Sequence, residues 1–486
     1  MISSRFAGRL ACALGAGALV VGLAGIGRAG AVSSATGGGG GGGGGVTNPY
    51  SPAYGHPYRH GVIPTRSQQA AMNSYAATHF ATTTSTGPKT LGYDGGTSNT
   101  DGTVVGVTSG TPKVYLVFWG TQWGTETTLS NGDLSFSNDP YGGAQYIQNL
   151  FKGLGTGSEQ WSGTMTQYCD GAVTRGATSC PSGASLIGYP TGGAFGGVWY
   201  DTTNPDPSVS TSTQLAQEAV NAAKNFGNIT PASNRYAQYV ILSPKGLDPD
   251  SYKQNRFCAW HDYTGDAYPI SNPYGYLAFT NMPYVMDLGT SCGMNFVNSG
   301  TAGYLDGYSI VGGHEYAETI TDQFPAGGWS NLQSNSYSGE ENGDECAWIS
   351  PGTSGGAANV VMGNGHYAMQ STWSNDTNTC EISHPIITST SGSGGGTTDV
   401  VTVTNPGNQT GHLRTFLSLQ IQATDSAPGQ SLTYSATNLP PGLSINSGSG
   451  LISGTPTHTG NYSVNVTATD GTGASGSAGF NWAIKR

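Results

Sequence analysis

The placement of the cysteines restricts this chain more than any other feature. Six of them, Cys169, Cys180, Cys258, Cys292, Cys346 and Cys380, fall in one middle stretch, and none follows Cys380. The seventh, Cys12, lies in a segment of different character: Arg5 and Arg9 precede an apolar run from Leu10 to Ile26, and Ala29-Gly30-Ala31 offers a small-x-small cleavage site. This combination reads as an export signal over residues 1–31, with which Cys12 leaves. An even number of cysteines in an exported chain favours disulfides, and no C-x-x-C spacing competes as a metal knuckle. Their neighbourhood in sequence predicts three local loops, Cys169–Cys180, Cys258–Cys292 and Cys346–Cys380. The middle of the chain is therefore expected to fold as a cross-linked body, and whatever follows it to fold by packing alone.

Charge narrows the function. Only 9% of the 486 residues are charged and the net charge is −11, which argues against nucleic acid as a partner, because phosphate binding needs clustered lysine and arginine. Beyond the export signal no stretch is apolar for long enough to span a bilayer. Composition divides the rest. Residues 32–110 hold nine consecutive glycines, Gly37 to Gly45, followed by a Tyr/Pro/Ser/Thr-rich arm with one helix-like patch at Ser67–His79. That arm reads equally as a pro-segment, an arm wrapped over the main domain, or a linker. A main domain over residues 111–385 opens with the buried-strand pattern "KVYLVFWG" from Lys113. Helix patterns follow at Tyr141–Leu154 and Thr213–Gly227, then the apolar strand Tyr236–Pro244. This alternation predicts a mixed α/β layered domain. "NVVMGNGHYAMQ" reads as a hairpin turning at Asn364-Gly365. A Gly/Ser/Thr linker covers 386–398, and residues 399–486 alternate apolar and polar positions between turn residues, as in an all-β antiparallel sandwich.

The chemistry concentrates in "GGHEYAETITD", Gly312 to Asp322. On a helix His314, Glu315 and Glu318 share one face. A zinc hydrolase needs three protein ligands, an open position and a base near the attacking water. In H-E-x-x-H both histidines bind metal and the glutamate is the base. Here Glu318 replaces the second histidine, so His314 and Glu318 are expected as ligands and Glu315 as the catalytic base. The third ligand must come from elsewhere. "SGEENGDECAW", Ser338 to Trp348, offers Glu341 as the preferred ligand, with Asp344 as the alternative or as an acceptor orienting His314 through its other nitrogen. His261, in "RFCAWHDY" beside Cys258, is a further candidate. Against all of this stands the plainer reading of H-E-x-x-E as the polar face of a solvated helix. Three functions fit the pattern: a zinc peptidase, a non-catalytic wall- or surface-binding protein, and a metal-free glycosidase using paired carboxylates such as Glu315 and Glu341. A serine hydrolase of the G-x-S-x-G type gains no support.

Five segments in order, "PKVYLVFWGTQW", "RFCAWHDY", "GGHEYAETITD", "ENGDECAW" and "YAMQSTWSN", resemble the plant EXORDIUM or phosphate-induced family and its bacterial relatives over about Pro112 to Cys380. The resemblance implies an extracellular, wall-associated protein that acts on or binds extracellular protein or a cell-wall component. It also implies that His314, Glu315, Glu318, Glu341, Asp344 and Cys346 belong to a metallopeptidase-like site. The long N-terminal arm and the C-terminal segment depart from the plant pattern. That segment, through "LPPGLSINSGSGLISGTPTHTGNYSVNVTATD", Leu439 to Asp470, resembles a bacterial immunoglobulin-like domain attached to exported enzymes and adhesins, a likeness that speaks for fold and not for function.

Overall fold

A single sheet organises the middle of the chain. Its strands are β1 (His60–Pro64), β2 (Lys113–Trp119), β3 (Phe195–Asp201), β4 (Ala237–Leu242), β5 (Phe257–Tyr263) and β6 (Ala278–Met282), in spatial order β1-β5-β6-β4-β2-β3. The computed structural model describes residues 48–79, 89–266, 268–333, 336–388, 401–425, 432–469 and 475–486. The expected export signal, the glycine run and the linker beyond Thr388 lie outside these residues. Among the described residues no helix is long and apolar enough to cross a membrane.

Strands β3, β2, β4 and β6 run parallel, whereas β5 is antiparallel to β6 and β1 antiparallel to β5. Central parallel strands are covered on both faces, which explains why "KVYLVFW" and "AQYVIL" are apolar runs with little alternation. Alternate residues nonetheless go to different cores. Val114, Leu116 and Phe118 join Ile147, Leu150 and Val311 on one side. Val117 and Trp119 join Leu215, Ala219 and Ala223 on the other. The first side is covered by α2 (Gly143–Gly153) and the buried helix Asp306–Thr321, the second by α3 (Ser212–Asn225). Helix α3 starts where Thr211 accepts from the Gln214 amide and the Gln214 side chain accepts in return from the Thr211 amide, a capping box that satisfies two terminal donors. The three disulfides are Cys169–Cys180, Cys258–Cys292 and Cys346–Cys380, as their spacing predicts.

Two local expectations need correction. The sheet does not begin at Lys113, because the arm supplies β1, and α1 (Arg66–His79) follows it directly. Without β1, strand β5 would present a row of unpaired backbone groups at the sheet edge. The hairpin of Ala358–Met362 with Gly365–Met369 pairs Met362 with Gly365, so its turn residues are Gly363 and Asn364, one position earlier than the Asn-Gly pair. Tertiary contacts set that turn: the Gly363 amide donates to Thr156 Oγ1 and the Asn364 side chain to the Asn149 carbonyl.

The C-terminal segment has its own core of Val401, Ile452, Val464, Val466, Phe480, Trp482 and Ile484. Its longest pair, Gly460–Thr469 with Ser475–Lys485, is antiparallel and alternates buried and exposed residues. One pairing departs from the all-antiparallel expectation. Gln409–His412 runs parallel to the last strand, where it covers an edge that would otherwise stay open.

Helix α3 also buries a carboxyl whose titration gives a measurable signature. Glu218 is 1% exposed, and one oxygen accepts from Asn221 while the other has no hydrogen-bond partner. Burial, and then the neighbouring Asp201, push it up to about 9. The folded chain therefore holds a proton that the unfolded chain releases near pH 4.5, and stability falls as pH rises from there toward 9, by at most about 1.4 kcal/mol per pH unit. Glu218→Gln is expected to melt with the wild type at pH 4 and progressively above it toward pH 9. Thermal melts of both across that range check this, and parallel curves would refute it.

Candidate metal centre

The sixteen residues of the last main-region helix, α4 (Asp306–Thr321), are all buried. A helix buried on every side belongs to a domain interior, so its His314, Glu315 and Glu318 are not a solvated polar face. His314 is held by its Nδ1, 3.2 Å from Gln370 Oε1. The Gln370 amide nitrogen is itself committed to the Gly343 carbonyl at 2.8 Å, so the oxygen faces the imidazole and Nδ1 carries the hydrogen. Nε2 then presents its lone pair, and what surrounds it is oxygen: Glu318 Oε2 at 3.0 Å, the Gly61 carbonyl at 3.3 Å and Asp344 Oδ1 at 3.6 Å.

A second histidine enters from the sheet. His261 on β5 is 1% exposed, with Nδ1 3.8 Å from Glu315 Oε2 and Nε2 3.5 Å from Glu341 Oε1. Neither nitrogen makes a hydrogen bond, and Glu315 Oε1 and Oε2, Glu318 Oε2 and Glu341 Oε2 also lack partners. Two groups of three candidate ligands result, His314/Glu318/Asp344 and His261/Glu318/Glu341, with Glu318 common to both.

The acidic segment is carried to this point by structure outside the helix. The Asp344 amide donates to Glu318 Oε1 at 2.8 Å, the Trp373 amide donates to the Asn342 carbonyl at 2.7 Å, and Cys346–Cys380 ties the turn down. Gly343 must be glycine here, since a Cβ would lie 2.8 Å from both Glu318 Oε1 and His314 Nδ1. Burial, followed by the charges of Glu318 and its acidic neighbours, raises Glu315 and Asp344 well above the ordinary carboxylate range. Burial and then Asp322 and Glu318 do the same for Glu341. Burial lowers His261 well below the ordinary histidine value, with His60 and His314 adding to it.

These residues fit a cation. Buried polar atoms without partners cost several kcal/mol unless compensated, and here they converge. Ligand atoms on one tetrahedral zinc ion, with bonds of about 2.0–2.2 Å, stand roughly 3.3–3.5 Å apart, close to the separations around His314 Nε2. Two imidazoles among carboxylates suit zinc or another transition metal better than calcium, which prefers oxygen alone.

All six candidate residues of the sequence reading are therefore neighbours, although their pairing differs from the preferred one. Of the two candidates on the acidic turn, Asp344 stands against His314 and Glu341 against His261, and Gln370, not Asp344, receives the other nitrogen of His314. Gln370, Gly343 and Gly61 were missed. Gln370 lies in the quoted "YAMQSTWSN" and Gly343 among the acidic residues, so both had a local signal. Gly61, 253 positions before His314, had none.

A family model described as "Putative Ig domain" matches residues 399–485. No curated protein matches the chain. Among solved structures, a Bacteroides fragilis protein titled "putative alpha-galactosidase" shares 26% identity over 18% of this chain and 17% of its own, with a TM-score of 0.16. Mouse cadherin-23 EC22-24 shares 21% over 18% and 32%, with a TM-score of 0.16. Drosophila N-cadherin EC1-3 shares 14% over 25% and 38%, with a TM-score of 0.17. This chain spans less than a fifth of the length of the first of these, and scores of this size carry no argument about function.

Proposed function

We propose that the chain is an exported zinc-dependent peptidase acting on extracellular or cell-wall protein. The observation that supports this reading is the convergence of buried, unpartnered histidine and carboxylate atoms on the H-E-x-x-E helix. The disulfides and the immunoglobulin-like segment agree with an extracellular setting. In this reading His314, Glu318 and Asp344 hold the ion, with Gln370 fixing the imidazole and His261 and Glu341 closing the other side. A zinc ion supplies Lewis acidity toward a carbonyl and lowers the pKa of water. Glu315 accepts the proton of the attacking water at its carboxylate and passes it to the leaving amine. The surrounding apolar core excludes bulk water and strengthens each of these charge interactions. The purified chain is expected to carry stoichiometric zinc and to cleave a peptide library in a manner abolished by chelator and restored by zinc. Metal analysis with no transition metal retained after zinc incubation, or cleavage indifferent to chelator, would refute the assignment.

A further inference from the structure

Strand β1 lies across the centre. It pairs antiparallel with β5 in the register His60 to His261 and Ile63 to Ala259, so one extra residue is accommodated between them. Gly61 takes up that irregularity with φ +47°, a left-handed conformation that glycine adopts without strain. The result is that its carbonyl turns toward the site and stops 3.3 Å from His314 Nε2. A side chain there is excluded, since a Cβ would lie 2.0 Å from Glu318 Oε2 and 2.8 Å from His261 Cε1.

The residues on either side are held firmly. Ile63 is buried in the core on the α4 side and Val62 in the core on the α3 side. The Pro64 carbonyl accepts from Trp348 Nε1 at 2.8 Å, and the Thr65 amide donates to the Arg256 carbonyl at 2.8 Å. Arg59, 3% exposed, pairs with Asp250 at 2.7 Å. An extended segment added to a sheet edge, with main-chain pairing for affinity and alternate side chains in separate pockets, is how peptides are recognised by strand addition.

Resting on the peptidase reading, we propose that β5 is the peptide-binding edge of this centre and that the chain's own arm fills it as a substrate-like occupant. Gly61 then stands where a bound peptide presents its carbonyl. The edge therefore selects extended peptides with glycine at that place, followed by two aliphatic residues. The occupied edge is the latent form, and displacement of the arm opens the site.

Gly61→Ala in the full chain tests this, because the new Cβ cannot coexist with Glu318 and His261. Hydrogen exchange at Ala259 and His261 is expected to accelerate tenfold or more. The synthetic peptide Tyr-Arg-His-Gly-Val-Ile-Pro-Thr should bind the variant and slow that exchange again, whereas the same peptide with alanine for glycine should bind at least about tenfold more weakly, the equivalent of about 1.4 kcal/mol. Trp348→Phe, which removes the hydrogen bond to Pro64 together with part of the ring packed on Phe296 but leaves Gly61 and its neighbours unchanged, is the gentler second variant and should show the same changes on a smaller scale. A chain in which β5 stays protected in both variants, or which binds the glycine and alanine peptides alike, overturns the proposal. Loss of the cooperative melt in both variants, unrescued by the peptide, also overturns it by making β1 an integral strand. Edge opening with selective peptide binding but no hydrolysis leaves the binding edge established and refutes the peptidase reading alone.

Discussion

Glu318→Ala is expected to strip zinc from the protein, while Glu315→Gln keeps the ion and loses about 10²–10⁴-fold in peptide hydrolysis. The two residues share one helix and the same depth of burial, so the contrast separates roles and not environments. Glu318 belongs to both candidate ligand groups, and its removal leaves either group with two protein ligands, fewer than zinc sites ordinarily use. The Glu315→Gln change preserves shape and one acceptor oxygen, replaces the other with an amide donor, and accepts no proton. Asp344→Ala and Glu341→Ala then assign the third ligand. The distances to His314 place the larger metal loss on Asp344, and a larger loss on Glu341 would move the ion to the His261 side. Metal analysis beside peptide hydrolysis reads all four variants. Full activity in Glu315→Gln, or zinc retained by Glu318→Ala, would refute the division of labour.

Reduction should unfold the main region and spare the C-terminal sandwich. Cys258–Cys292 and Cys346–Cys380 each close 34 residues and Cys169–Cys180 closes 11, which in the chain-entropy account corresponds to about 3–4 kcal/mol apiece. Their sum is comparable with the whole stability of an ordinary domain, about 5–15 kcal/mol. Two of the crosslinks also anchor site elements, since Cys258 is on β5 with His261 and Cys346 follows the acidic turn. The sandwich has a separate apolar core and no cysteine. Calorimetry with reductant should therefore show one transition falling by on the order of 20 °C or disappearing, with the other unmoved and zinc released along with the first. Equal shifts of both transitions, or an unmoved pair, would contradict this.

Where local pattern suffices, the sequence is a good guide. Lys113–Trp119 and Ala237–Leu242 are apolar runs too short and too β-branched for helices, and the helix pattern at Thr213–Gly227 falls on α3. The same holds for the H-E-x-x-E spacing, which puts its three side chains on one face wherever the helix lies. Hairpin register was less legible, because Thr156 and Asn149, distant in sequence, hold the turn at Gly363-Asn364.

By itself, then, the sequence determined the strands Lys113–Trp119 and Ala237–Leu242, the main helices, the local cysteine pairs and the alternating C-terminal strands, and it named the candidate ligands, all from periodicity and spacing along the chain. Only the tertiary structure decided that α4 is buried on every side, that Asp344 faces His314 while Glu341 faces His261, and that Gly61 crosses the centre. Those facts depend on groups that sheet pairing and packing bring together from separate segments, 253 positions apart in the case of Gly61 and His314. A carbonyl opposite a histidine leaves no trace in the local pattern of either segment.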